Sequence, residues 1–278
     1  MFAYMTGHND QNASGLHVAP TARKEEGVRA AREYGRAGLF GILTPQGNPT
    51  VEPELRILLP ARSTMLVSRL TSRSSSLRQR LIDYSEKLDE TVDSFDNLAF
   101  DALGFACTGS SYLVDPADER RRLDKIHFDK GYPVITAADA VATALDSLGV
   151  GAIALISPYP DWLTAASQAH WQRLGLRVTA VQQLPSGGRD AHGIYALTTP
   201  TILDKAEDFD PKGAEAILVT GTGMPSLRTI LALEPSIGLP ILSSNLCLAW
   251  ALAKTTGQVA PGPDSRLHGG WADRLESA

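Results

Sequence analysis

Cys107 stands where an apolar run, Leu103-Gly104-Phe105-Ala106, gives way to the small polar residues Thr108-Gly109-Ser110-Ser111. A buried parallel strand that ends this way leaves its last side chain at the carboxyl edge of a sheet, where α/β folds carry their chemistry. If the turn opens a helix, its free N–H groups would hold a carboxylate and lower the thiol pKa. Cys107 is therefore a candidate nucleophile or proton carrier with an acidified thiol. The competing reading is a core cysteine beside a turn. Thr108, Gly109 and Ser110 would supply hydroxyl and backbone donors for charge developing on a carboxylate, or serve as plain caps.

The pattern recurs. A second apolar run, Ala216 to Val219, ends in Thr220-Gly221-Thr222-Gly223-Met224. The offset of about 110 residues is too long for a solenoid and indicates duplicated domains. Gly41-Ile42-Leu43-Thr44-Pro45 pairs with Ala154-Leu155-Ile156-Ser157-Pro158, and Gly131-Tyr132-Pro133-Val134-Ile135-Thr136 with Gly238-Leu239-Pro240-Ile241-Leu242-Ser243. Three echoes in one order imply two copies of a βα unit whose strand ends face each other across a cleft. Cys107 and Gly221 then oppose each other, and Thr222 and Gly223 offer the second half's donors.

The elements that must position these groups follow from periodicity. Strands are expected at Ala37 to Leu43, Asn97 to Ala106, Gly151 to Ile156, Arg177 to Gln182, Ala216 to Thr220 and Pro240 to Leu242. Helices are expected at Ser75 to Phe95, Pro116 to Lys130, Ala137 to Leu148, Trp162 to Leu174, Thr199 to Asp208, Met224 to Leu233 and Asn245 to Lys254. Gly187-Gly188 and the tail from Gly257 read as loops. Strands alternating with helices predict an α/β fold of two pseudo-symmetric Rossmann-like halves, each with a mostly parallel sheet. Residues 35–132 with 240–257 form the expected first half, 133–239 the second, 1–34 a flexible leader and 258–278 a tail.

Composition is that of an ordinary soluble globular protein: 278 residues, 43% hydrophobic and 21% charged. A net charge of −5, without a basic cluster, argues against nucleic acid. No apolar stretch is long enough for a membrane span, and the leader has no signal core. Two distant cysteines make no disulfide framework, so a reducing cytoplasm is expected. There is no GxGxxG, P-loop or metal-ligand spacing.

Four segments together resemble a known superfamily: Thr44-Pro45-Gln46-Gly47-Asn48-Pro49-Thr50-Val51-Glu52-Pro53-Glu54, Ala106-Cys107-Thr108-Gly109-Ser110, Ser157-Pro158-Tyr159, and Leu242-Ser243-Ser244-Asn245 before Leu248-Ala249-Trp250. The chain is similar over residues 37–257 to the aspartate/glutamate racemase superfamily, in its maleate cis-trans isomerase and arylmalonate decarboxylase branch, with an ectoine-utilisation protein as a near relative.

The resemblance implies a cofactor-independent enzyme whose active site lies between the halves. Maleate isomerases place one cysteine in each half; the first, matching Cys107, attacks the double bond, and the second assists proton transfer. Gly221 replaces that second thiol here, whereas arylmalonate decarboxylases keep the second-half cysteine and a first-half glycine. Asn48 matches an amide pointed at a substrate carboxylate, and Tyr159 a tyrosine whose hydroxyl binds the enediolate. His192 falls where maleate isomerases carry a substrate-facing Asn, and would be a second acid/base opposite Cys107. Cys247 reads as core packing, and Glu52, Glu54 and the Arg120-Arg121-Arg122 run as structural or solvated charges.

The leading expectation is an isomerase or racemase-type enzyme acting on a small-molecule carboxylate through Cys107, with homo-oligomerisation left open. The alternatives are an arylmalonate-decarboxylase-like lyase with Cys107 as proton donor, a (hydroxy)ectoine-utilisation enzyme, and a non-catalytic carboxylate-binding protein.

Overall fold

A computed structural model describes residues 32–185, 192–259 and 265–277. Most of the expected leader and the Gly187-Gly188 loop lie outside the described residues. The first half runs β1 (Gly38–Pro45), α1 (Val51–Leu58), β2 (Ser63–Leu70), α2 (Leu77–Glu86), α3 (Leu88–Asp93), β3 (Ala102–Phe105), α4 (Thr108–Ser111), α5 (Pro116–Lys130), β4 (Val134–Thr136) and α6 (Ala137–Ser147). The second runs β5 (Ala152–Ser157), α7 (Asp161–Arg173), β6 (Arg177–Gln183), α8 (His192–Tyr195), α9 (Thr199–Ala206), β7 (Ala216–Val219), α10 (Leu227–Ile237), β8 (Ile241–Ser243), α11 (Ser244–Thr255) and a final α12 (Ala272–Glu276).

Two parallel four-stranded sheets result, ordered β2-β1-β3-β4 and β6-β5-β7-β8. The identical order is the structural form of the sequence echoes. Strands β1, β3, β5 and β7 are almost wholly buried, as near-continuous apolar runs between helical layers must be. In each sheet the chain leaves the central pair in opposite directions, so a crevice opens beyond the carboxyl ends of β1 and β3, and of β5 and β7. Those four ends carry Asn48, Cys107, Tyr159 and Gly221.

Local signals account for the well-placed helices. Asp115 caps α5 by accepting from the N–H groups of Ala117 and Asp118; Pro116 occupies its first turn, and Gly131 ends it at φ 77°. Thr136 caps α6, and Ser243 caps α11.

Several sequence expectations change. The edge strand β2 was not anticipated, because Ser63–Leu70 is half-buried and interrupted by Ser and Arg. The predicted Ser75 to Phe95 helix breaks at Lys87 into α2 and α3. Only Ala102–Phe105 of the predicted Asn97 to Ala106 strand is extended, since Asp96 turns the chain at φ 56°.

The drawn halves shift by one strand each. β4 pairs with β3 in the first sheet, and β8 with β7 in the second, although residues 133–239 and 240–257 were divided otherwise. Helix α11, by contrast, does pack on the first half, against α1, β3 and β4, and also against α6. The tail is no loop: α12 forms, and Trp271 is fully buried. His268 Nε2 lies 3.0 Å from the Leu58 carbonyl and Arg274 Nε donates to the Ile57 carbonyl at 2.7 Å, satisfying the exposed end of α1. Among the described residues no helix is long and apolar enough to cross a membrane.

Candidate active site

Cys107 precedes α4 directly, 4% exposed, with its Sγ 3.2 Å from Ser110 Oγ. Burial pushes the thiol up to about 11, against the lowering effect of the Ser110 hydroxyl and the Ser110 and Gly109 N–H groups. The charge of Glu119, hydrogen-bonded to Ser111, pushes the same way as burial. The expected acidified thiol is thus overturned. A helix of four residues has too little dipole to offset full desolvation.

A cavity of about 110 Å³ opens over Cys107. Thr108, Gly109, Asn48, Tyr159, Thr222 and Gly223 line it with Cys107, bringing together residues up to 175 positions apart in the chain. Asn48 is fixed on three sides: Oδ1 accepts from the Thr50 and Val51 N–H groups, and Nδ2 donates to Thr222 Oγ1 at 3.2 Å. One Nδ2 proton remains for a ligand. Thr222 Oγ1 donates onward to the Ala106 carbonyl at 2.9 Å, stitching the second half to the residue before Cys107. The Thr222 and Gly223 N–H groups have no acceptor among the described residues. With Gly221 at φ 94° they form a small nest suited to an anion.

Two predicted contacts fall outside the cavity lining. Ser110 turns its hydroxyl to the Leu81 carbonyl at 2.8 Å and touches the thiol, so it addresses Cys107 rather than a ligand. The Gly221 N–H is taken by Ser244 Oγ at 3.1 Å. His192 opens α8, but its side chain lies outside the described residues. Cys247 is fully buried in α11, where burial raises its pKa, as expected of core packing.

Other lining residues were not anticipated. Leu77, Leu81, Tyr84, Leu163, Ile194 and Tyr195 make an apolar wall. Arg80 interrupts it; its buried Nε has no hydrogen-bond partner among the described residues, a costly state that an anionic ligand would relieve. The helical spacing of Leu77, Arg80, Leu81 and Tyr84 is visible in sequence, but not that this face meets Cys107.

Glu54 was read as a structural or solvated charge, and the structure makes it a fully buried clamp between the halves. Its carboxylate accepts from the Ser226 and Leu227 N–H groups, the Ser226 hydroxyl and Asn245 Nδ2. Asn245 also donates to the Thr222 carbonyl at 3.1 Å. Burial raises the Glu54 pKa, and these donors oppose the rise.

The arylmalonate decarboxylase family model matches residues 70–267, most of the chain and both sides of this cavity. The chain belongs to the arylmalonate decarboxylase family. Within reach of this family member lies a maleate isomerase of Geobacillus stearothermophilus, 26% identical over 229 residues, covering 78% of this chain and 90% of that protein. The maleate isomerase structure from Pseudomonas putida superposes with a TM-score of 0.75 at 22% identity, over 83% of this chain and 98% of that one. A Nocardia farcinica maleate cis-trans isomerase variant with a covalently bound succinylcysteine intermediate superposes at 0.72 and 20% identity, over 82% and 96% of the two chains. The family member shares the fold of both structures.

Proposed function

We propose that this family member is a cofactor-independent isomerase that interconverts the cis and trans forms of a small unsaturated carboxylate through Cys107. The carrying observation is the position of the thiol: it lines a cavity between anion-receiving turns contributed by both halves. The Cys107 sulfur, as thiolate, bonds to one alkene carbon, and the π pair moves into the adjoining carboxylate as an enediolate. The former double bond is now single and rotates. Collapse of the enediolate re-forms the double bond and expels the thiolate. A proton on the neighbouring carbon gives a saturated thioether, the species named in the Nocardia succinylcysteine structure.

The Thr222 and Gly223 N–H groups, the Thr108 hydroxyl and Asn48 Nδ2 hold the carboxylate whose charge rises, and Arg80 supplies positive charge at the wall. Two unpaired, buried cysteines support a cytoplasmic location.

Proton NMR of the protein with maleate, alkyl- and arylmaleates, aryl- and alkylmalonates and aspartate tests the reading. Isomerisation of a cis-butenedioate is expected, with Cys107→Ala lowering turnover at least about a thousandfold while the protein stays folded. A folded Cys107→Ala protein with wild-type turnover would sink it, and decarboxylation of the malonates would assign lyase chemistry instead.

A further inference from the structure

Carrying the enediolate on to the saturated thioether needs an acid at the neighbouring carbon, and Gly221 offers none. The backbone there has φ 94°, and a Cβ built on Gly221 would lie 2.9 Å from Tyr159 Oη and 3.2 Å from its Cζ. The phenol tip thus fills the space that a second-half side chain would need. We propose that the Tyr159 hydroxyl is the proton donor and acceptor of the second face, taking the place of a second-half thiol. This rests on the reading that Cys107 adds to an activated double bond.

Three observations carry it. Tyr159 lines the cavity, and its Oη is 3.3 Å from Thr108 Oγ1, the residue next to the thiol. Its position is over-determined: the ring packs edge-on against Tyr112, with centroids 6.2 Å apart, while its backbone N–H lies 3.4 Å from Ser157 Oγ and Gln183 Nε2 donates to its carbonyl. Behind it runs a buried hydroxyl chain. Thr220 Oγ1 lies 2.8 Å from the hydroxyl of Tyr112, whose ring packs edge-on against Tyr159. The His170 and Trp171 rings pack on Tyr112, and among the described residues His170 Nδ1, Trp171 Nε1 and Ser167 Oγ are buried without a hydrogen-bond partner.

The step balances with no reactant besides water. The Cys107 thiol gives its proton to water as the sulfur forms the S–C bond, the π pair becomes an enediolate, and the Tyr159 proton passes to its carbon; the thiol proton is regained from water when the thiolate is expelled. The tyrosinate left behind accepts a hydrogen bond from Thr108, then takes the same proton back when the double bond re-forms. Burial raises the Tyr159 pKa well above 10, so the group rests protonated and a tyrosinate formed there recovers its proton readily.

Tyr159→Phe keeps the ring and removes only the hydroxyl. With maleate, kcat is expected to fall by about 10² to 10⁴ at nearly unchanged KM, the usual loss on removing a general acid. Iodoacetamide alkylation of Cys107, which needs no proton donor, should keep its wild-type rate, and thermal unfolding should confirm the fold. Should maleate prove inert with the wild type, the function reading fails on its own. The comparison is then made with N-ethylmaleimide, whose addition to Cys107 requires protonation of carbon: Tyr159→Phe should slow it at least tenfold relative to iodoacetamide. A raised KM at wild-type kcat, an unchanged maleimide-to-iodoacetamide ratio, or a kcat loss in His192→Ala with Tyr159→Phe unaffected would each overturn the proposal.

Discussion

The Cys107 thiol is defined by competing local forces. Desolvation in a 4% exposed position outweighs the short N–H array of α4 and the shared Ser110 hydroxyl. Because the thiolate is the reactive form, alkylation should keep climbing beyond the free-thiol midpoint of about 8.5. The midpoint is expected near 11, the value to which burial pushes the group. Iodoacetamide rates followed across pH by intact mass check this, and a midpoint at or below that of free cysteine would show a thiolate already stabilised in the empty cavity. Ser110→Ala should raise the midpoint further, since the hydroxyl lowers it.

At the level of elements, the site is a junction of loop ends held by helices. Helix α1 begins just after Asn48 and carries Glu54, whose carboxylate receives the first N–H groups of α10. Those groups are orphaned in any helix and here are answered from the other half. Asn245, at the start of α11, connects the same carboxylate to the Thr222 carbonyl. Glu54→Ala leaves several buried donors without acceptors and should cost at least about 3 kcal/mol. Urea denaturation would read the loss, and a rise in KM larger than the fall in kcat would show that the Thr222 turn had been released. A stability change within experimental error would mean that the clamp does not join the halves.

Across the whole molecule, duplication builds two crevices, and the chain end stabilises one of them. The final segment lies over the C-terminal end of α1, with Trp271 fully buried and His268 and Arg274 on the terminal carbonyls. Since α1 follows Asn48 of the cavity lining and carries the Glu54 clamp, the tail supports the site without touching it. Trp271→Ala should cost about 3–5 kcal/mol, as for other large-to-small changes in a core. Urea denaturation tests this, and wild-type stability in the variant would show that the tail is only draped on the surface.

The sequence by itself determined the strand–helix alternation, the internal duplication, the place of Cys107 at a strand end, and the donor turns at Thr108-Gly109 and Thr222-Gly223. All of these are local patterns of apolar runs, caps and turn residues, and local interactions settle them. Tertiary structure alone decided which residues meet: Arg80 and the Leu77, Leu81 and Tyr84 face over Cys107, Glu54 beneath the second half, and the Tyr159 hydroxyl in the space beside Gly221. It also decided the charge state of the thiol, because desolvation depends on every element packed around a group and has no signature in its neighbours along the chain.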